Sequence, residues 1–241
     1  STYAMGFGLS DGRVAVAKAG FKVTFPEGKR QIDPEVVYPL GTDPLVLDEQ
    51  GAPIVLLGLQ QSEDGSAVAA LTDDGRFLLS AVNVSRNPIT GEEKSEVQKA
   101  EISPVPPESR LILIESKQRE MYVLSGDRTL FRYSINDKAN PALLETVQLV
   151  PEGERVTAMT MLSGGFSIIL GTDKGNLAQW FLVRTEGATF NLRRIREFSP
   201  MKAAVTAIAP EFHRKGFIVG DRAGNLGSYF ATSNRLLFSE R

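Results

Sequence analysis

A repeated segment near the C-terminus constrains the fold of this chain more than any other feature. The run Val156-Thr157-Ala158 returns as Val205-Thr206-Ala207, and Gly175-Asn176-Leu177 returns as Gly224-Asn225-Leu226, in both cases 49 positions later. Repeats of about 40 to 50 residues with four strand-like segments are typical of propeller blades. The sequence therefore predicts an all-β fold, a β-propeller of five or six four-stranded blades that forms one domain over residues 1–241.

Short apolar runs broken by Gly, Asp, Asn and Pro predict further copies of this unit towards the N-terminus. A turn rich in Gly marks each copy, because Gly adopts the positive φ that a tight hairpin needs. The first copy has only two recognisable strands, around 3–9 and 13–21. We expect the closing segment, 235–239, to complete that blade as its outer strand, which would leave no open edge. The predicted turns lie at Gly12, Gly75, Asp127, Gly175 and Gly224.

Two other segments have predicted places within blades. The run 143–150 alternates weakly, and we expect it to be the outer strand of the unit 142–184. The polar stretch from Ser85 to Ser103 is predicted to be a projecting hairpin or loop inside a blade rather than a domain boundary.

Composition excludes several classes of function. The net charge of −2 gives the chain no general attraction to nucleic acid or to an anionic membrane. The absence of cysteine excludes disulfides, thiolate metal sites and cysteine nucleophiles. No apolar run approaches the roughly 20 residues of a membrane-spanning helix. The chain starts with Ser1 and not with Met, so we expect a processed product or an excised piece of a larger protein.

Catalytic and metal-binding motifs are absent from the sequence. His213 is the single histidine, and it lies in a segment predicted to be a turn. A triad base would need an exposed nucleophilic serine in a Gly-x-Ser-x-Gly elbow, and the chain has none. We expect His213 to be an exposed loop residue. Gly164-Gly165 and the run 171–175 lack the Gly-Lys-Ser/Thr ending of a phosphate loop.

A recurring set of aspartates at the predicted turns permits a calcium site or a general acid, but a structural role is favoured. Asp at such positions normally accepts a hydrogen bond from its own backbone two residues on. No Asp-x-Asp-x-Asp-Gly loop is present. The sequence thus predicts no catalytic residue, no cofactor-binding residue and no metal ligand. The turn aspartates are Asp11, Asp73, Asp74, Asp127, Asp173 and Asp221.

Two further groups of residues have a structural and a functional interpretation. Trp180, Tyr229 and Tyr133 occupy equivalent repeat positions, where packing between blades is favoured over an aromatic recognition surface. The basic cluster Arg193-Arg194-Arg196 is favoured as a solvated strand face over a phosphate contact.

The last repeat, 220–238, carries a resemblance to known proteins. Its Gly-Asn-Leu turn is similar to those of WD40-like blades, without their Trp-Asp ending or Gly-His start. The following run Ala231-Thr232-Ser233-Asn234-Arg235-Leu236-Leu237 resembles the extracytoplasmic insertion of bacterial phosphate ABC transporter permeases of the PstC type. In that family the propeller-like region lies between membrane helices. The resemblance implies a domain excised from a membrane protein, on the periplasmic face of the bacterial inner membrane.

Three functions follow as expectations. The resemblance implies a non-catalytic interaction or regulatory domain of a phosphate importer, which docks other transporter subunits or the solute-binding protein and reaches the membrane only through segments outside this chain. The alternative is a soluble, cytoplasmic WD40-like scaffold for protein assembly, unrelated to transport. The third is a propeller hydrolase or lyase that uses carboxylates at the mouth of its channel.

Overall fold

The fold is all-β, and it was obtained as a computed structural model. The structure describes residues 4–62, 65–86, 90–162, 164–165, 167–211 and 214–240. Within these ranges the strands form five four-stranded sheets with antiparallel neighbours, and no α-helix occurs. The fold is therefore a β-propeller of five four-stranded blades, as the repeat predicts. No helix in this part of the chain is long and apolar enough to cross a membrane.

We number the blades 1 to 5 in chain order, with four strands in each. Two short 3-10 segments, Pro26–Gly28 and Glu186–Ala188, lie in strand connections. Blade 1 has β1 (Ala4–Gly8), β2 (Arg13–Thr24), β3 (Gln31–Val37) and β4 (Leu45–Val46); blade 2 has β5 (Ile54–Ser62), β6 (Gly65–Thr72), β7 (Phe77–Arg86) and β8 (Glu93–Glu101); blade 3 has β9 (Ser109–Ile114), β10 (Glu120–Ser125), β11 (Thr129–Ser134) and β12 (Ala142–Gln148); blade 4 has β13 (Val156–Met161), β14 (Ser167–Thr172), β15 (Leu177–Arg184) and β16 (Phe190–Phe198); blade 5 has β17 (Val205–Pro210), β18 (Gly216–Asp221), β19 (Leu226–Phe230) and β20 (Arg235–Glu240).

The chain divides into two compact units. The first comprises residues 1–105 and 135–142 and contains blades 1 and 2. The second comprises residues 106–134 and 143–241 and contains blades 3, 4 and 5.

In the first unit, blades 1 and 2 share an apolar core. Val14 and Val16 of β2 pack with Leu47, and against Val68 and Ala70 of β6. These β2 residues alternate along the strand, so they occupy a single face of blade 1. The core of this unit therefore covers one face of blade 1.

In the second unit, two apolar clusters join neighbouring blades. Trp180 packs in the cluster between blades 3 and 4, and Tyr229 in the cluster between blades 4 and 5. Tyr133, at the equivalent position of β11, is fully buried. All six residues of β14 are buried, as expected for a strand covered on both faces. The predicted packing role of Trp180 and Tyr229 is confirmed.

Close approach of the first strands explains one glycine of the repeat. A Cβ at Gly171 would lie 2.5 Å from Cγ1 of Val205, the first residue of β17. A bulge in the β13–β14 pairing follows Val156, and the Thr157 hydroxyl donates to the Gly171 carbonyl at 3.2 Å. Blade 5 repeats both features at Val205 and Thr206. The small Val-Thr-Ala strand therefore lets adjacent blades converge.

The predicted grouping of the strands is wrong in one respect. β12 pairs with β11 of blade 3 and does not join β13, so the run 143–150 closes the preceding blade. β20 likewise pairs with β19, with Leu226 opposite Glu240. The closing segment completes blade 5 and not blade 1, because blade 5 begins at its Val-Thr-Ala strand, β17, and takes the next three strands in sequence order.

Blade 1 contains two strands that the sequence did not predict. β3 pairs with the distal half of β2, from Lys18 opposite Val37 to Thr24 opposite Gln31, and β4 pairs with its first two residues. The β1–β2 turn at Gly12, where φ is +77°, is the repeated turn of this blade, as predicted. The Leu9 N–H there donates to the Arg13 carbonyl, as the Thr172 N–H donates to the Asn176 carbonyl at the Gly175 turn. The β2–β3 hairpin adds a further turn at Gly28. The polar stretch 85–103 contributes β8, which pairs with β7 as a hairpin.

Candidate interaction surface

The turn carboxylates act within the structure of their own turns. Asp221 accepts hydrogen bonds from the backbone N–H of Ala223 and Asn225 at 3.0 and 2.9 Å. Asp11 accepts from the N–H of Arg13, two residues on, at 3.3 Å. Asp173 departs from this pattern, because it accepts from the N–H of Arg155 across the sheet at 2.9 Å. Across the ranges that the structure covers, no three carboxylates or histidines form a group that could hold a metal ion.

The most strongly paired carboxylate, Asp48, was not singled out by the sequence. Its two oxygens accept from Nη1 and Nη2 of Arg76 at 2.7 and 2.8 Å, and also from the N–H groups of Gln50 and Ala52. Hydrogen bonds from Arg76 lower the pKa of Asp48 from 3.8 to about 2, against burial, which raises it. Asp74 binds the same guanidinium at 2.8 Å. These contacts fix the turns of blades 1 and 2.

A buried ionic group lies in blade 3. Arg132 donates to Glu120 and Glu145, each at 2.7 Å, and to the backbone carbonyl of Phe190 at 2.8 Å. The Tyr122 hydroxyl donates to Glu120 at 2.6 Å. Burial raises the pKa of Glu120, but the hydrogen bonds from Arg132 and Tyr122 outweigh it and leave the pKa lowered. Each charged side chain in this group binds at least one partner of opposite charge, so the group has the geometry of a structural tie.

The remaining residues considered in the sequence do not converge on one site. His213 lies outside the described residues. Arg193 and Arg194 lie exposed on β16, where Arg194 pairs with Glu197 at 2.7 Å. Arg196, on the same strand, is only partly exposed.

A cavity of about 290 Å³ opens between the first strands of blades 3, 4 and 5. Its wall includes Leu111, Met159 and Ile208, and its single charged side chain is that of Arg110. A propeller hydrolase or lyase would need paired carboxylates in this cavity. The lining gives that alternative no support.

One face of blade 1 carries a group of large apolar side chains that are exposed. Side chains at directly paired positions of an antiparallel sheet lie on the same face. The pairs Met5–Ala17, Phe7–Ala15, Ala19–Val36, Phe21–Pro34 and Val23–Ile32 therefore share one face, and Val46 joins it opposite Arg13. We call this surface the open face of blade 1.

The open face is apolar and exposed. Phe21 is 67% exposed, Val36 62% and Met5 58%. Phe7, Val23, Ile32 and Val46 are also exposed. On the outer part of the hairpin the opposite face is polar, with Lys22 paired to Asp33 and Thr24 to Gln31. Blade 1 is thus amphipathic beyond its core, with the apolar side turned to solvent.

A signal for this surface is present in the sequence. Odd positions from Ala15 to Val23 are all apolar, while Lys18, Lys22 and Thr24 hold even positions. This period of two extends past Phe21, where the predicted strand ended. Pro34 in β3 has no N–H to donate, so this edge of the sheet is a poor template for an added strand. A partner would therefore contact the face rather than the edge.

No known family matches this chain, and no curated protein is significantly similar to it.

Proposed function

We propose that this chain is a non-catalytic interaction domain that docks another protein through the open face of blade 1. The supporting observation is the exposure of seven large apolar side chains on one side of a single blade. Monomeric soluble proteins rarely leave contiguous apolar patches above about 300 to 600 Å² uncovered. A surface of this kind favours binding over chemistry.

The size and composition of the open face match one side of a protein interface. If a fully exposed aromatic side chain contributes about 150 to 250 Å² and the aliphatic ones somewhat less, the seven side chains present roughly 700 Å². One partner in a standard interface contributes about 800 Å². The side chains between the rows are Ala15, Ala17, Ala19 and Pro34, so the centre of the face carries no charge. The partner that fits is another protein with an apolar surface.

The resemblance of residues 220–238 to phosphate importers supplies the setting of the proposal. In that setting the domain lies outside the cytoplasm, and its partner is the solute-binding protein or another transporter subunit. A soluble scaffold would use the same face on a different protein.

The proposal is tested with purified solute-binding protein and with the permease subunits encoded beside this chain. Binding of each to the immobilised chain is titrated by biolayer interferometry, with and without phosphate. We expect at least one partner to bind with a Kd near or below about 10 μM. Phe21→Glu should weaken that binding at least ~10-fold, because it buries an unpaired charge.

The matched control is Phe190→Glu, which makes the same chemical change at a 53% exposed phenylalanine of blade 4. It should leave the affinity unchanged. Failure of every subunit to bind, or equal loss in both variants, would overturn the proposal. Self-association of the chain that Phe21→Glu abolishes would assign the open face to a second copy instead. Binding to phospholipid vesicles that Phe21→Glu abolishes would assign it to a membrane surface.

A further inference from the structure

A pocket of about 320 Å³ lies between blades 4 and 5 of the second unit. Its polar lining comes from both blades. Blade 4 contributes Ser167, Gln179 and Arg196, and Lys215 and Thr232 flank the strands of blade 5. Two of these side chains are cationic, and no carboxylate lines the pocket.

A buried glutamine holds the guanidinium in place. Gln179 is 6% exposed, and its Nε2 donates to the Ser167 hydroxyl at 3.1 Å. Its Oε1 accepts from Nη1 of Arg196 at 3.0 Å. The chain of bonds from Ser167 through Gln179 fixes both the orientation of the amide and the position of the arginine. Arg196 is therefore preorganised at the wall of the pocket.

The positive charge of Arg196 is not matched within the described chain. Its guanidinium carries five N–H donors, and its one bonded partner there is the neutral amide of Gln179. The buried or partly buried Arg132 and Arg76 differ, because each binds two carboxylates. The donors that remain on Arg196 can serve an anion.

Apolar side chains form the rest of the wall. They are Leu162, Phe181, Ile195 and Ala231, and Phe181 and Ile195 are themselves partly open to solvent. Apolar walls with a few convergent polar groups are the usual composition of a small-ligand site, and this volume is at the lower end of the range for such sites.

We infer that this pocket binds a small organic anion, a carboxylate or phosphate group on an apolar body. The anionic group lies against Arg196 and Lys215, and the apolar body lies against Phe181 and Ile195. The inference does not rest on the proposed docking function, because none of its residues belongs to the open face of blade 1.

The test uses benzoate as the probe and benzamide as its neutral counterpart of the same shape. Binding to the full chain is followed by NMR through the side-chain amide of Gln179. We expect benzoate to bind with a Kd on the order of 1 mM, as suits a small ligand in a shallow pocket. Benzamide should bind at least ~10-fold more weakly, and phenyl phosphate should compete with benzoate.

Variants on strand β16 locate the site. Arg196→Gln should weaken benzoate binding at least ~10-fold, whereas Arg196→Lys should retain part of it because the charge remains. Arg194→Gln removes one charge from the opposite face of the strand and should leave binding unchanged. Thermal melting confirms that each variant is folded. Equal affinity for benzamide and benzoate, or equal loss in the Arg194 and Arg196 variants, would overturn the inference.

Discussion

Single carboxylates at the ends of strands determine how the turns of this protein are held. The sequence indicates that turn aspartates serve their own backbone, and Asp11 and Asp221 do so. Asp48 goes further, because it joins two blades through the guanidinium of Arg76. Nothing in the local sequence identifies that partner, which lies 28 residues away.

Asp48 should make the stability of the protein depend on pH in the acidic range. Its pKa of about 2 lies below the usual 3.8, so the carboxylate stabilises the folded state above about pH 4 and loses this effect as the pH falls towards 2. At pH 7, Asp48→Asn should cost roughly 2 kcal/mol, the usual value of a hydrogen bond to a charged group. Melting curves between pH 2 and 7 should show the difference between variant and wild type closing towards pH 2.

The exposed Asp43→Asn variant is the control for loss of one negative charge. Its melting temperature should equal that of the wild type at every pH. A constant gap between Asp48→Asn and wild type over the whole pH range would contradict the role assigned to the Asp48–Arg76 pair.

Gly171 should tolerate no side chain, although it lies in a strand. A Cβ there would lie 2.5 Å from Val205, whereas at Gly220, its repeat equivalent, the nearest atom would be 3.7 Å away. Gly171→Ala should therefore lower the free energy of unfolding by about 1 to 3 kcal/mol, as overpacking does. Gly220→Ala should change it little. Urea denaturation compares the two variants, and equal effects would show that spacing between blades 4 and 5 is not the cause.

At the scale of strands, the buried Arg132 ties blade 3 together. It lies on β11 and binds acids on β10 and β12, as well as the first backbone carbonyl of β16. Arg132→Met should destabilise the protein by about 3 to 5 kcal/mol, because it leaves two acids without their cation. Replacing Glu120 and Glu145 by Gln in the same variant should recover part of the loss.

Arg155→Met provides the comparison, since its side chain is 65% exposed and its ion pair with Asp173 is open to water. It should cost at most ~1 kcal/mol in urea denaturation. A loss for Arg132→Met as small as this would mean that water compensates the buried acids.

Strands of blades 4 and 5 should differ in how readily their backbone amides open to solvent. Every residue of β20 is exposed and one of its edges is unpaired, whereas every residue of β14 is buried between neighbours. Hydrogen exchange measured by mass spectrometry should find amides of β20 exchanging at least ~10-fold faster than those of β14. Equal protection in both strands would indicate that blades 4 and 5 open as one cooperative unit.

The success of sequence reasoning varies among the strands for physical reasons. The Val-Thr-Ala strands and their Gly turns were predictable, because close approach of the backbones and positive φ restrict the residue types. Strands β3 and β4 were not, since Pro34 and three charged or amide side chains in β3 conceal the alternation of an exposed edge. The first spacing between turns, 63 residues from Gly12 to Gly75, exceeds the later ones because the long β2–β3 hairpin and the connection to β4 lie within it.

The sequence was equally uninformative about which strands pair with each other. The pairing of β20 with β19 depends on where a blade begins, and an unbroken run of repeats does not mark that point. The open face of blade 1 also escaped detection, because its members come from strands that were only partly recognised. The pocket beside Arg196 depends on residues up to 70 positions apart, from Leu162 to Thr232, whose proximity follows only from the packing of blades 4 and 5.

For the molecule as a whole, a small net charge and the open face together should govern solubility. The charge of −2 vanishes near the pI of about 5.6. We expect static light scattering of the isolated chain to rise as the pH is lowered from 8 to 5.6. Phe21→Glu should suppress this rise more than Phe190→Glu, although both add one negative charge. Equal suppression would show that charge alone is responsible.

The uncharged centre of the open face also determines how any contact made there responds to its surroundings. Desolvation of carbon surface is driven by entropy near room temperature and weakens on cooling. Screening by salt should have little effect on such a contact, because the centre of the open face carries no charge. A complex formed through this blade should therefore persist in concentrated sodium chloride and weaken at low temperature. An assembly held by ion pairs should behave in the opposite way.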